Sequence, residues 1–240
     1  MIEVRELEKK FGTFTAVDKI SFQVERGEIF GLLGENGAGK TTTLRMLATM
    51  LQPTAGHAAV GGLDVVKEPE KVRARIGILF GGETGLYDRL TASENITYFG
   101  ELNGMDREAI KERLRLLADA FGMQDFMDRR AAKLSKGMKQ KVAFARSIIH
   151  NPDVMLFDEP TSGLDVGAAR EVQEFITGCK SEGKTIIFSS HSMKEVEKLC
   201  DRIGIIHKGK LVETGSIEEL KEKYGDDDLE DIFIRLAGAK

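Results

Sequence analysis

Two rhythms of apolar residues run along the chain. In residues 2–7 and again in 20–24, apolar and polar positions alternate, which predicts half-buried strands of an antiparallel layer at the start. From Ile29 onward the pattern turns into short unbroken apolar runs at 29–33, 76–80, 154–157, 186–188 and 203–206. Such runs are short for helices and have no polar face, so they predict strands covered on both sides, as in a mostly parallel sheet flanked by helices. Between about residues 90 and 149 the pattern becomes helical; within 107–121, Ile110, Leu114, Leu117 and Phe121 fall on one face. That stretch predicts an inserted helical subdomain. Toward the end, Lys208-Gly209-Lys210 predicts a hairpin turn and 217–224 a closing helix, and Asp226-Asp227-Asp228 punctuates the tail.

The 240 residues are 41% hydrophobic and 31% charged, the balance of a chain able to bury a sizeable core. They suit one α/β domain over residues 1–240, with 83–153 as the helical subdomain and 216–240 as a C-terminal helical tail. A net charge of −4 gives no global electrostatic reason to expect nucleic acid as a partner. Charges interrupt the opening residues and leave no apolar stretch for a secretory signal; no run approaches the ~20 residues that span a bilayer. Any membrane role is therefore expected through a partner. Cys179 and Cys200 lack metal-ligand spacing and read as a reduced intracellular pair.

Directly after the run 29–33 stands Gly34-Glu35-Asn36-Gly37-Ala38-Gly39-Lys40-Thr41, which fits the P-loop pattern G-x-x-x-x-G-K-[ST]. Glycines let the backbone wrap close to phosphate oxygens, so consecutive N–H groups and the start of a helix near Lys40 point at the anion. The candidate nucleotide-binding residues are Asn36, Gly37, Ala38, Gly39, Lys40, Thr41 and Thr42. Lys40 is expected to reach the β- and γ-phosphates, and Thr41 to ligate Mg²⁺. A second element, Val154-Met155-Leu156-Phe157-Asp158-Glu159, is a buried strand ending in two carboxylates. Asp158 suits Mg²⁺ coordination, and Glu159 suits polarising the attacking water. Taken alone, the pattern also fits any strand with a solvated acidic end. His191 follows the run at 186–189 and is expected at the same sheet edge, within reach of γ-phosphate and water. An isolated histidine is more often structural than catalytic.

Together these elements resemble the ATP-binding cassette family over nearly the whole chain. The segment Leu134-Ser135-Lys136-Gly137-Met138-Lys139-Gln140 is similar to the family signature opening a helix. Downstream, Leu156-Phe157-Asp158-Glu159-Pro160-Thr161-Ser162-Gly163-Leu164-Asp165 is similar to its Walker B segment and D-loop. The resemblance implies a P-loop NTPase core with an N-terminal antiparallel β layer and an inserted helical subdomain, using ATP and Mg²⁺. It implies that Ser135 and Gly137 grip the γ-phosphate of ATP held by a second copy, that Asp165 joins the nucleotide contacts, and that Phe11 stacks on adenine. For Phe11, membership of the core is the alternative. Lys133, Lys136, Lys139 and Lys141 read mostly as a solvated helix face.

The implied function is an ATP-hydrolysing subunit that powers export through a separate transmembrane permease, cytoplasmic and peripheral on the inner face of the cell membrane. Segments 79–90 and 134–141 look most like the NatA-type branch of the family, which implies sodium export. Two departures stand out: Gly81-Gly82-Glu83 where the family usually has a glutamine, and Lys136 and Met138 where glycine and glutamine are common. Coupling to the permease is expected around 81–91, with Leu86 and Tyr87 as candidate contacts. A nucleotide-gated module with vestigial hydrolysis and a soluble non-transport ATPase are the alternatives.

Overall fold

The computed structural model describes residues 1–80 and 85–238. In chain order its elements are β1 (Ile2–Phe11), β2 (Phe14–Val24), β3 (Ile29–Leu33), α1 (Lys40–Leu47), β4 (Ala55–Val60), β5 (Leu63–Asp64), α2 (Pro69–Arg73), β6 (Ile76–Leu79), α3 (Ala92–Leu102), α4 (Arg107–Ala120), α5 (Lys136–Ile148), β7 (Val154–Asp158), α6 (Val166–Ser181), β8 (Thr185–Ser190), α7 (Met193–Leu199), β9 (Arg202–His207), β10 (Lys210–Ser216), α8 (Ile217–Tyr224) and α9 (Leu229–Ala237). One sheet runs β2-β1-β4-β5 and is antiparallel throughout. The other runs β10-β9-β3-β8-β7-β6, parallel except for the β9–β10 hairpin.

Both faces of the six-stranded sheet are covered, which is why its strands read as unbroken apolar runs. Alternate residues of β3 enter opposite cores. Ile29 and Leu33 join the core under the helices, whereas Phe30 and Leu32 join the one shared with α1 and the antiparallel layer. The Phe30 ring stacks on Phe22 of β2 with centroids 5.2 Å apart, fastening the two sheets.

Three differences from the sequence reading have physical causes. β1 and β2 extend past their alternating stretches to the tight turn between Phe11 and Phe14, and a register shift near Glu6, whose φ is 48°, breaks the alternation of β1. β4 and β5 are unpredicted, because Ala55-Gly56-His57-Ala58-Ala59-Val60 carries no period of its own and is held by the edge of β1. β6 stops at Leu79, leaving Phe80 outside the strand.

The helical stretch forms as its apolar face predicts: Ile110, Leu117 and Phe121 are buried, and Leu114 packs on the same core. The ring of Phe144 on α5 lies 5.3 Å from Phe121, 5.4 Å from Phe175 and 4.7 Å from Phe157, the residue before Asp158. In the tail, Asp228 caps α9 by accepting from the amide of Glu230 at 2.7 Å, so the aspartate run opens a second tail helix. Among the described residues no helix is long and apolar enough to cross a membrane.

Both thiols are free. Burial, helped by the Glu182 carboxylate, pushes Cys179 from the ordinary 9.0 up to about 12, and burial drives Cys200 well above the ordinary range. Because the folded value is raised, the stability this contributes is complete below pH ~9 and is lost as pH climbs toward ~12. The same shift cuts the thiolate fraction of Cys179 near neutral pH about 10³-fold. Iodoacetamide at pH 8, followed by mass spectrometry, is expected to leave both cysteines unlabelled in the folded chain and to label both in denaturant.

Candidate active site

The loops after β3, β7 and β8 leave the sheet at the same edge, because those strands are parallel and in register: Leu33 pairs with Ser190, and Asp158 with Ser189. The first loop is shaped by close approach. A Cβ on Gly34 would stand 2.3 Å from the carbonyl oxygen of Ile206; Gly39, at φ 114°, would put one 2.7 Å from that of Ala16. Only glycine fits at either place. α1 then starts at Lys40 with its N-terminus facing the loop.

Lys40 is 5% exposed, and its ammonium donates to the carbonyls of Gly34 at 2.6 Å and Glu35 at 3.0 Å. Burial lowers its pKa, opposed by the carboxylates of Glu159, Asp158 and Glu35. Thr41 Oγ1 donates to Asp158, 2.8 Å from Oδ2 and 3.0 Å from Oδ1, and Ser189 Oγ donates to Oδ1 at 2.5 Å. Asp158 is thus buried among hydroxyls and is no solvated strand end.

Glu159 has φ 49°, an uncommon conformation for a side-chain-bearing residue. Its amide donates to both the carbonyl and the hydroxyl of Ser189, each at 3.1 Å. The turn carries its carboxylate to the cleft, where Oε1 lies 3.1 Å from His191 Nδ1. The sequence-predicted trio of Lys40, Glu159 and His191 is therefore assembled at one sheet edge. Ser189 went unnoticed in the sequence, since a serine gains meaning there only from its register against Asp158.

A cleft runs over this edge, walled by Asn36, Gly37, Ala38, Gly39, Lys40, Thr41, Thr42 and Glu159 at one end and by Phe11, Phe14 and Ala16 at the other. Phe11 is 50% exposed and so is not a core residue. Phe14, its cross-strand neighbour, is a second aromatic wall that the sequence reading missed.

Ser135, Gly137 and Asp165 do not line this cleft. Ser135 caps α5, its hydroxyl accepting from the Met138 amide at 3.2 Å, and Asp165 caps α6, accepting from the Ala168 amide at 2.9 Å. A Cβ on Gly137 would meet nothing within 4 Å, so packing inside the described chain does not require a glycine there. Lys136 lies against Gly163. Lys139 sits 3.6 Å from Asp88. Lys141 corrects the expectation of a solvated face: its ammonium lies 2.5 Å from Glu171, donates to the Phe121 carbonyl at 2.9 Å, and is largely buried. Gly81, Gly82 and Glu83, the expected departure from the usual glutamine, fall outside the described residues.

Residues 17–162 match the model of the ABC transporter family, more than half of the chain. The chain belongs to the ABC transporter family. The ABC transporter ATP-binding protein NatA of Bacillus subtilis is 52% identical over 96% of this chain and 94% of its own length. The probable multidrug ABC transporter ATP-binding protein YbhF of Escherichia coli is 39% identical over 98% of this chain, which spans 41% of that longer protein. A solved ATP binding subunit of an ABC transporter superposes with a TM-score of 0.91 at 28% identity, covering 98% of this chain and 99% of the other. The chain is an ATP-hydrolysing cassette of this family with the P-loop α/β fold. The family match ends before His191, whose place beside Glu159 rests on geometry.

Proposed function

We propose that this cassette, residues 1–240 with 83–153 as its helical subdomain and 216–240 as its tail, is the motor of an exporter. Two copies close head to tail over two ATP molecules and drive a separate permease subunit. The observation that carries this reading is the separation of two phosphate grips: the P-loop cleft holds neither Ser135 nor Gly137, although α5 presents them at an exposed helix start. A second copy facing the first would bring one grip to each side of the same triphosphate. Among the described residues nothing stands within 4 Å of a Cβ placed on Gly137, which leaves room for that approach.

Lys40 and the loop amides would hold the β- and γ-phosphates, with the Phe11 ring against adenine. Glu159 would take a proton from the water whose oxygen attacks the γ-phosphorus as the bond to the β-bridging oxygen breaks, releasing ADP and phosphate. His191, bonded to Glu159 Oε1, would hold that carboxylate and contact the γ-phosphate; Asp165 would join from the facing copy. Thr41 and Asp158 present hard oxygen donors side by side, a set that fits Mg²⁺. Mg²⁺ held there would take waters and phosphate oxygens as its other ligands. The ion would screen the charge gathering on the phosphates.

Tyr87 and Tyr98 stand exposed, edge to face at 5.4 Å, beside Phe99. The loop carrying Tyr87 is pinned by the buried amide of Asn95, which accepts from the Tyr87 amide at 2.8 Å and donates to the Thr91 carbonyl at 2.8 Å. This aromatic ledge is where a helix of the permease would dock, which would place the chain at the cytoplasmic face of the cell membrane. The resemblance of segments 79–90 and 134–141 to the NatA-type branch favours sodium as the exported solute, and flux of radioactive sodium from vesicles carrying the intact complex tests that part.

A shared active site makes specific ATPase activity rise with protein concentration, and Lys40→Ala should abolish it. Specific activity that stays flat across a wide dilution series would mean that each chain is self-sufficient and would overturn the paired arrangement.

A further inference from the structure

Glu195 on α7 is 7% exposed, and among the described residues its carboxylate partners are hydroxyls, not cations. Thr161 Oγ1 donates to its Oε1 at 2.7 Å and Ser190 Oγ to its Oε2 at 2.7 Å. A carboxyl group removed from water is costly unless its oxygens are hydrogen-bonded, so the choice of these two donors calls for an explanation. The two donors supply one. Thr161 lies two residues after Glu159, and Ser190 lies immediately before His191. The Ser190 hydroxyl also accepts from the Ser192 amide at 3.0 Å, so the chain is held on both sides of His191.

We infer that Glu195 is a positioning residue for hydrolysis: it clamps the loop after β7 to the end of β8, fixing the separation of Glu159 and His191 without touching nucleotide itself. Glu159 stands in an uncommon backbone conformation at the start of the loop after β7, and His191 is exposed at the start of the loop after β8. Their 3.1 Å contact is therefore maintained from behind, by a rigid helix rather than by the two loops alone. The same loop continues through Ser162, Gly163 and Leu164 to Asp165. A shift of that loop by a facing subunit would reach His191 through one carboxylate. The inference deepens the ATPase reading and rests on the roles given there to Glu159 and His191.

The test compares steady-state ATPase of the full chain with that of Glu195→Ala, Glu195→Gln and Thr161→Val, with thermal melts of each. Misplacement of catalytic groups by about an ångström lowers turnover on the order of 10²-fold. Glu195→Ala is accordingly expected to lose roughly 10- to 100-fold in kcat while KM and the Kd for ATP stay within about twofold. Glu195→Gln keeps the shape and one acceptor oxygen and should recover part of the loss, as Thr161→Ser should relative to Thr161→Val. In a His191→Ala background, Glu195→Ala should add little, because the histidine it positions is gone. Native kcat in folded Glu195→Ala, or losses that multiply fully with His191→Ala, would overturn the inference. If Glu195→Ala does not fold, the Thr161→Val and Thr161→Ser pair decides by the same kcat-against-KM criterion. Absence of Lys40-dependent turnover in the native chain would instead defeat the ATPase reading itself.

Discussion

Glu159→Gln is expected to bind MgATP as tightly as the native chain and to hydrolyse it about 10²- to 10⁴-fold more slowly, the range a positioned general base supplies. The substitution keeps the size of the side chain and its reach to His191, and it leaves Lys40 and the loop amides in place, so binding has no reason to change. What disappears is the basic oxygen. A chain that loads ATP and cannot discharge it should accumulate in the closed pair. Single-turnover phosphate release measures the first effect, and sedimentation velocity with and without MgATP measures the second. A near-native rate would place the base elsewhere, and persistent monomer at saturating ATP would contradict the head-to-tail pair.

Phe144→Ala should be the most damaging change far from the cleft. The ring is fully buried and meets Phe121, Phe157 and Phe175, so its loss leaves a cavity among rings that cannot close around it. Truncations of this kind cost about 3–5 kcal/mol. For a chain of this length that lowers Tm by roughly 10 °C, readable by calorimetry. The ring joins the helix opened by Ser135 to the strand ending in Asp158. Residual folded protein should therefore also show a weakened nucleotide response, whereas Phe144→Leu, which refills much of the space, should retain most of both.

How far the chain could be read in advance follows from where each signal originates. The strands of the six-stranded sheet are legible because burial on both faces forces unbroken apolar runs, as in 29–33 and 154–157. The P-loop is legible because backbone crowding at Gly34 and Gly39 leaves only one residue type possible. β4 is not legible, since its pairing is imposed by β1 and not by its own alanines. Ser189, Phe14 and Glu195 escape for a related reason. A hydroxyl, a ring or a carboxylate acquires its task only when a distant strand, turn or loop comes alongside, and nothing in the neighbouring sequence announces that meeting.

The self-contained bonding of Lys40 has a consequence for selectivity. Its ammonium, bonded to the carbonyls of Gly34 and Glu35, ties the start of the loop to the start of α1. On the proposed roles, a triphosphate gains γ-phosphate contacts from Lys40 and His191 that a diphosphate lacks. In the proposed couple, discrimination between fresh fuel and spent fuel would then be sharpened a second time, because the third phosphate is also there for the other chain to grasp.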